Sequence, residues 1–146
     1  MFMDMEVFFK KIYTVAFRLT GEEGLAAEMA ASAITYTVNE LEEDYKVTEE
    51  LLQLTIIELV KIFLNIPKSH CNYNLKGIQR ALLELKPINR AVLIWKDVLG
   101  YQIDDNIPVP DCTYEELIKK LVHGRKELKE YISRLEVALT PETQRT

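Results

Sequence analysis

Apolar side chains recur at helical spacing along almost the whole of this 146-residue chain. Near the start, Phe8, Ile12, Val15 and Leu19 form one stripe with steps of four, three and four residues. Residues 26–31 are mostly alanine, and such small side chains let a neighbouring helix approach closely. The pattern predicts an all-α fold. The predicted helices span 4–19, 22–41, 49–65, 75–85, 88–99 and about 114–139.

The first break in this pattern is the segment 67–74, which contains Pro67 and has no periodicity. It is predicted to be a linker between two small helical domains, 1–66 and 75–146. Thr48 is the expected N-cap of the third helix, and Asn74 that of the fourth.

The second break lies at residues 101–112, which contain Pro108 and Pro110. A proline in a helix interior costs about 3 kcal/mol, so no regular helix is expected there. Gly100 precedes this segment and is typical of the residue that closes a helix. We therefore expect an irregular loop before the last helix.

Charge is distributed unevenly between the two predicted domains. The chain has a net charge of −5. Residues 1–66 carry 5 basic and 12 acidic side chains, a balance of −7, and residues 67–146 carry 13 and 11, a balance of +2. This argues against a protein that coats nucleic acid non-specifically, but leaves a local basic face open.

Other features of composition favour a cytoplasmic protein. Cys71 and Cys112 are too few for a disulfide framework. The first residues carry acids where a secretory signal has bases. The longest apolar stretch, residues 51–66, is too short and too often interrupted by polar residues to span a bilayer, so no membrane association is expected.

The last predicted helix opens with a capping box at residues 113–116 and continues with a seven-residue repeat. The repeat consists of Tyr114, Leu121, Leu128 and Leu135. It fits a helix packed on its own domain, and it also fits a helix paired with a second copy, so self-association stays open. Gly124 weakens this helix by about 1 kcal/mol relative to alanine, and we expect another part of the chain to approach it closely.

Four segments, in this order and spacing, resemble bacterial RNA polymerase sigma factors of the extracytoplasmic-function type. Residues 16–21 (AFRLTG) resemble the family's A-x-R-L-T-G turn, and residues 26–34 fall at its A-E-D-L-V-Q-E-x-F helix. Residues 78–92 (IQRALLELKPINRAV) resemble A-L-x-x-L-P-x-x-x-R-x-V, and residues 121–132 resemble the closing helix. The resemblance covers most of the chain and implies a promoter-melting domain followed by a helix-turn-helix domain.

The resemblance also implies a contact with RNA polymerase core through the second helix, where the family offers an Asp and a Gln. Glu28 holds the Asp position and Ala31 the Gln position. The family's third helix holds a single DNA strand, which needs positive charge along the backbone and aromatic rings for stacking. Here Lys46 is the only base between Arg18 and Lys61. We therefore expect this unit not to melt DNA as ordinary sigma factors do.

In the second unit, the prolines of residues 101–112 forbid the short helix that in the family braces the recognition helix against the DNA backbone. The recognition helix itself would begin with Glu115 and Glu116, whose carboxylates repel phosphates. Its bases nevertheless match family positions that contact DNA. This basic strip consists of Lys119, Lys120, His123, Arg125, Lys126 and Lys129. It would contact phosphates of an upstream promoter element, or be a solvated face with Lys126 and Glu130 as an ion pair.

No catalytic or metal-binding pattern is present in the sequence. His70, Cys71, Cys112 and His123 match no zinc spacing, and neither a phosphate-binding loop nor a nucleophile elbow occurs. We expect no enzyme activity, no metal and no cofactor.

Two hypotheses follow. In the first, the chain is a sigma-factor-like transcription regulator that binds RNA polymerase core and contacts promoter DNA weakly. In the second, it is a non-catalytic interaction module on a sigma-like scaffold, which has lost promoter melting and DNA recognition and binds a protein regulator or a second copy.

Overall fold

The computed structural model describes residues 2–38, 47–66 and 75–139, with side chains from Met3 to Arg134 within these ranges. The described residues form six α-helices, one π-helix and one short strand pair, so the all-α prediction is confirmed. The helices are α1 (Met5–Thr20), α2 (Glu23–Val38), α3 (Glu49–Asn65), α4 (Gly77–Glu84), α5 (Pro87–Leu93), the π-helix (Ile94–Val98) and α6 (Tyr114–Leu139). Strands β1 (Phe2–Met3) and β2 (Val47–Thr48) pair antiparallel, with Phe2 opposite Thr48.

The ends of α1 and α3 are fixed by capping residues. The Asp4 side chain accepts a hydrogen bond from the Glu6 N–H at 2.9 Å, and Thr48 accepts from the Leu51 N–H at 3.1 Å, as predicted. Gly21 ends α1 with φ 67°, a conformation that only glycine adopts at little cost. The predicted C-terminal part of α2, residues 39–41, lies outside the described residues, as does the linker 67–74.

The first three helices pack through the stripe predicted from the sequence. Phe8, Ile12 and Leu19 of α1 are fully buried. Ala26, Ala30 and Ala33 of α2 are also buried, in line with the close helix approach that small residues allow. The Thr37 and Thr55 hydroxyls join α2 to α3 at 2.9 Å, which satisfies a polar group inside this core.

Helix α4 begins two residues later than predicted, after Lys76, whose side chain forms no capping hydrogen bond. Asn74, the predicted cap, lies outside the described residues. Pro87 occupies the first turn of α5, where its missing N–H costs nothing.

The predicted single helix 88–99 is not regular throughout. It changes from α5 to the π-helix at Ile94, and the Leu99 N–H donates to the Ile94 carbonyl at 2.9 Å, across five residues. Trp95 lies in this turn, fully buried, and its indole N–H donates to the Gln102 carbonyl at 2.8 Å. The wider turn thus coincides with the burial of the chain's one tryptophan. Gly100 follows with φ 75°, as its predicted closing position requires.

Residues 101–112 contain no helix, as predicted. Three of their side chains nevertheless belong to the core, because Ile103, Ile107 and Val109 are all less than 10% exposed. The loop is therefore a packed segment that covers the apolar interior in place of a helix.

The two predicted units contact each other directly. The buried guanidinium of Arg90 donates to the carbonyls of Leu82, Leu83 and Leu85 in its own unit and to that of Leu19 at the end of α1. The Gln79 amide donates to the Phe17 carbonyl at 3.1 Å. Side chains from both units form one hydrophobic core.

Helix α6 starts at the predicted capping box, with the Glu116 N–H donating to the Thr113 hydroxyl at 3.1 Å. Leu117 and Leu121 are buried. A Cβ added to Gly124 would lie 3.4 Å from the Asn89 carbonyl oxygen, so the expected close approach is made by α5. Of the repeat, Leu121 and Leu128 therefore pack on the chain's own core, whereas Tyr114 is 62% exposed and the Leu135 side chain lies outside the described residues.

Candidate functional site

All six residues of the basic strip lie on α6, where they spread around more than half of its circumference. Leu117, Leu121 and Gly124 mark the side of the helix that faces the core. Lys119, His123 and Lys126 follow each other at steps of four and three residues and share the outward face. Lys129 follows Lys126 by three residues and therefore borders this face, while Arg125 lies further round the helix, on the side of Asp97. The six side chains are all at least partly exposed.

Arg125 is engaged within the protein. Its Nε donates to Asp97 Oδ2 at 2.7 Å, and its Nη2 donates to the other oxygen of the same carboxylate. This bidentate pair joins α6 to the π-helix. The hydrogen bond from Arg125 holds the pKa of Asp97 below its usual value and raises the pKa of Arg125 itself. A phosphate would have to compete with this carboxylate for the guanidinium.

His123 also has an acidic neighbour. Its Nε2 lies 3.1 Å from Glu127 Oε1, and the Asn89 amide donates to the same oxygen at 3.4 Å. The alternative in which Lys126 pairs with Glu130 is not seen, since these two described side chains form no ion pair within 4.0 Å.

Lys119 and Lys120 lie close to a third lysine, Lys86, which was not among the residues predicted from the sequence. Lys86 and Asn89 of the α4–α5 region and Glu116, Lys119, Lys120 and His123 of α6 line an open depression of about 360 Å³, which we call the lysine cleft. Among the described residues, none of its three lysines lies within 4.0 Å of a carboxylate. No sequence signal identifies Lys86, because its proximity to α6 depends on how the helices cross.

The start of α6 is acidic, and no bracing helix precedes it, as expected. Glu115 and Glu116 are exposed in its first turn. The preceding residues 101–112 provide no bracing helix. Both features disfavour base reading by this end of the helix.

Glu28 and Ala31, the residues matched to polymerase contacts, lie side by side on the exposed side of α2. Ala27 and Thr35 are exposed beside them, and these four residues are called the α2 outer face. Tyr36 nearby is 59% exposed. The α2 outer face thus combines two alanine methyl groups with one carboxylate and one hydroxyl.

Metal binding and membrane insertion are two other kinds of site that can be sought in the described part of the chain. It contains no group of three or more His, Cys, Asp or Glu side chains arranged to hold a metal ion, and His70 and Cys71 lie outside it. None of its helices combines the length and apolarity that a membrane span requires.

Comparison with known proteins gives no relative from which a role could be transferred. No family model, curated protein or solved structure matches the chain.

Proposed function

We propose that this chain is a sigma-factor-like transcription regulator of the cytoplasm that docks on RNA polymerase core through the α2 outer face. The proposal rests on the sequence resemblance of residues 16–34 and 78–132 together with one structural observation. That observation is the exposure of Glu28 and Ala31 on a helix rich in small residues.

The α2 outer face has the properties that a partner helix needs. Its small side chains permit a close approach, and Glu28 supplies a single charge that can fix the register of the contact.

Promoter DNA is a secondary partner in this proposal. Lys119, Lys120 and Lys126 are free to contact phosphates, whereas Arg125 is paired with Asp97. Such contacts would position a duplex without reading its sequence. Binding should therefore be weak and should decline steeply as salt is raised.

The second candidate is a non-catalytic interaction module that binds a different protein regulator or a second copy of the chain. The observation that favours it is the direct contact between the two units through Arg90 and Gln79. A protein that engages two separate promoter elements benefits from units that move independently, and this contact opposes such movement.

A binding assay with purified RNA polymerase core tests the proposal. Ala31→Arg places a long cation in the α2 outer face and should reduce complex formation at least tenfold, because it prevents close approach. Ser133→Arg is the matched control, since it adds the same side chain at an exposed position of α6. Circular dichroism should show both variants to be folded.

The outcomes separate the two candidates. Binding of the wild type and Ser133→Arg, with loss in Ala31→Arg, supports polymerase docking. Absence of any complex between core polymerase and the wild-type chain refutes it and leaves the interaction module. Equal binding by all three proteins would refute the role of the α2 outer face.

A further inference from the structure

The lysine cleft adjoins a second depression that has a different character. Leu64, Ile66, Pro87 and Ile88 provide its apolar lining, and its volume is about 390 Å³. Lys86, Asn89 and Lys120 line both depressions. A cationic surface and an apolar surface therefore adjoin each other at Lys86, Asn89 and Lys120.

The cleft owes its form to the crossing of α5 and α6 at Gly124. The absence of a side chain there lets the Asn89 backbone approach α6. Lys86 lies three residues before Asn89, and Lys120 lies one helical turn before Gly124. The crossing consequently brings a lysine from each segment to the same cleft.

One carboxylate, that of Glu116, also lines the cleft. The Glu116 carboxylate accepts hydrogen bonds from the backbone and hydroxyl of Thr113 in the capping box. Glu127 is engaged by His123 and Asn89. The lining of the cleft therefore carries three lysines against one carboxylate, and among the described residues none of these lysines forms an ion pair within 4.0 Å, in a chain whose overall charge is negative.

We infer that the lysine cleft and the adjoining apolar depression form one binding site for a small phosphate ester. Its phosphates would contact Lys86, Lys119 and Lys120, and its non-phosphate part would lie against Pro87 and Ile88. Each depression falls in the size range of small-molecule sites, about 300–1,000 Å³. This site is separate from the α2 outer face, so the inference does not depend on polymerase docking.

Isothermal titration of the full chain with ADP and with inorganic pyrophosphate tests the inference. ADP should bind more tightly than pyrophosphate, because only ADP has an aromatic base to place on the apolar surface. Lys86→Gln should weaken the binding of both ligands about fivefold, which is the largest loss of affinity expected when one exposed ion pair is removed. Ile88→Ser should weaken ADP and leave pyrophosphate unchanged.

Lys129→Gln is the matched control, since it removes one exposed charge from the same helix outside the cleft. It should bind both ligands as the wild type does. Equal loss in Lys129→Gln and Lys86→Gln would overturn the inference, because it would indicate general attraction to a basic surface. Absence of saturable binding, or equal affinity for ADP and pyrophosphate, would also overturn it.

Duplex DNA is the other source of phosphate groups. A 20-base-pair duplex that displaces ADP and binds more tightly, with the same loss in Lys86→Gln, would assign the cleft to nucleic acid and reject the small-ligand site. Failure of the duplex to displace ADP would support the small-ligand site.

Discussion

Replacing Arg90 should reveal how strongly the two units depend on each other. The side chain is 7% exposed, and its guanidinium donates to four backbone carbonyls. It also lies over the Phe63 ring, 5.6 Å from its centroid. Arg90→Met retains an apolar stem of similar length and removes every donor, so it leaves those carbonyls without this partner.

The magnitude follows from the number and burial of these contacts. A hydrogen bond from a charged donor contributes about 1.5–3 kcal/mol net, but four bonds from one group are not additive, and burying the charge has its own cost. A buried acceptor left without a partner costs about 1–3 kcal/mol, so we expect Arg90→Met to lower the free energy of unfolding by about 3–5 kcal/mol. Arg90→Lys keeps the charge but loses the planar fork, and should lose about half as much.

Urea unfolding measured with two probes gives the test. Trp95 is the only tryptophan and lies buried in the second unit, while far-UV circular dichroism reports all helices. The two transitions should coincide in the wild type if the units unfold together. A loss below about 1 kcal/mol in Arg90→Met would refute the reasoning, since it is less than one such bond contributes. Separate transitions in the wild type would show that the contact does not couple the units.

Three further substitutions test other parts of the fold by urea or thermal unfolding. Gly124→Leu should destabilise by about 1–3 kcal/mol, because its side chain would crowd Asn89; a neutral result would contradict the close crossing of α5 and α6. Thr113→Ala should cost about 1 kcal/mol through loss of the cap, and an unchanged melting temperature would show that the capping box does not stabilise α6. The folded-state pKa of Asp97 lies below its unfolded value, so its pair with Arg125 stabilises above about pH 4 and this contribution is lost as pH falls through the lowered pKa. Asp97→Asn should remove that part of the pH dependence of stability. The effect should be less than about 1 kcal/mol, because the pair is partly exposed. If the dependence of stability on pH were the same in Asp97→Asn and the wild type, the stabilising role of this pair would be contradicted.

Local features of the sequence predicted much of the fold. Thr48 and Thr113 identified the starts of α3 and α6, because capping depends on residues only a few positions apart. The spacing of Phe8 and Ile12 identified the buried side of α1. Gly124 indicated a close approach, although it did not indicate which helix would make it.

Features that depend on distant contacts could not be predicted in this way. Ile103 and Ile107 lie in a segment without periodicity, so nothing local marks them as core residues. The match of Arg90 to a family pattern did not reveal its contact with Leu19. The basic strip was predicted as one set, but Asp97 removes Arg125 from it, and Lys86 joins the rest only through the crossing of α5 and α6.

The bond from Arg90 to the Leu19 carbonyl also has a consequence for synthesis. The two residues are 71 positions apart. At translation rates of about 5–20 residues per second, the end of α1 leaves the ribosome roughly 4–14 s before its partner does. During that interval the first three helices lack the guanidinium and the apolar surface that cover them in the complete chain. We expect nascent chains stalled in this interval to be more sensitive to protease, and more dependent on chaperones, than the finished protein.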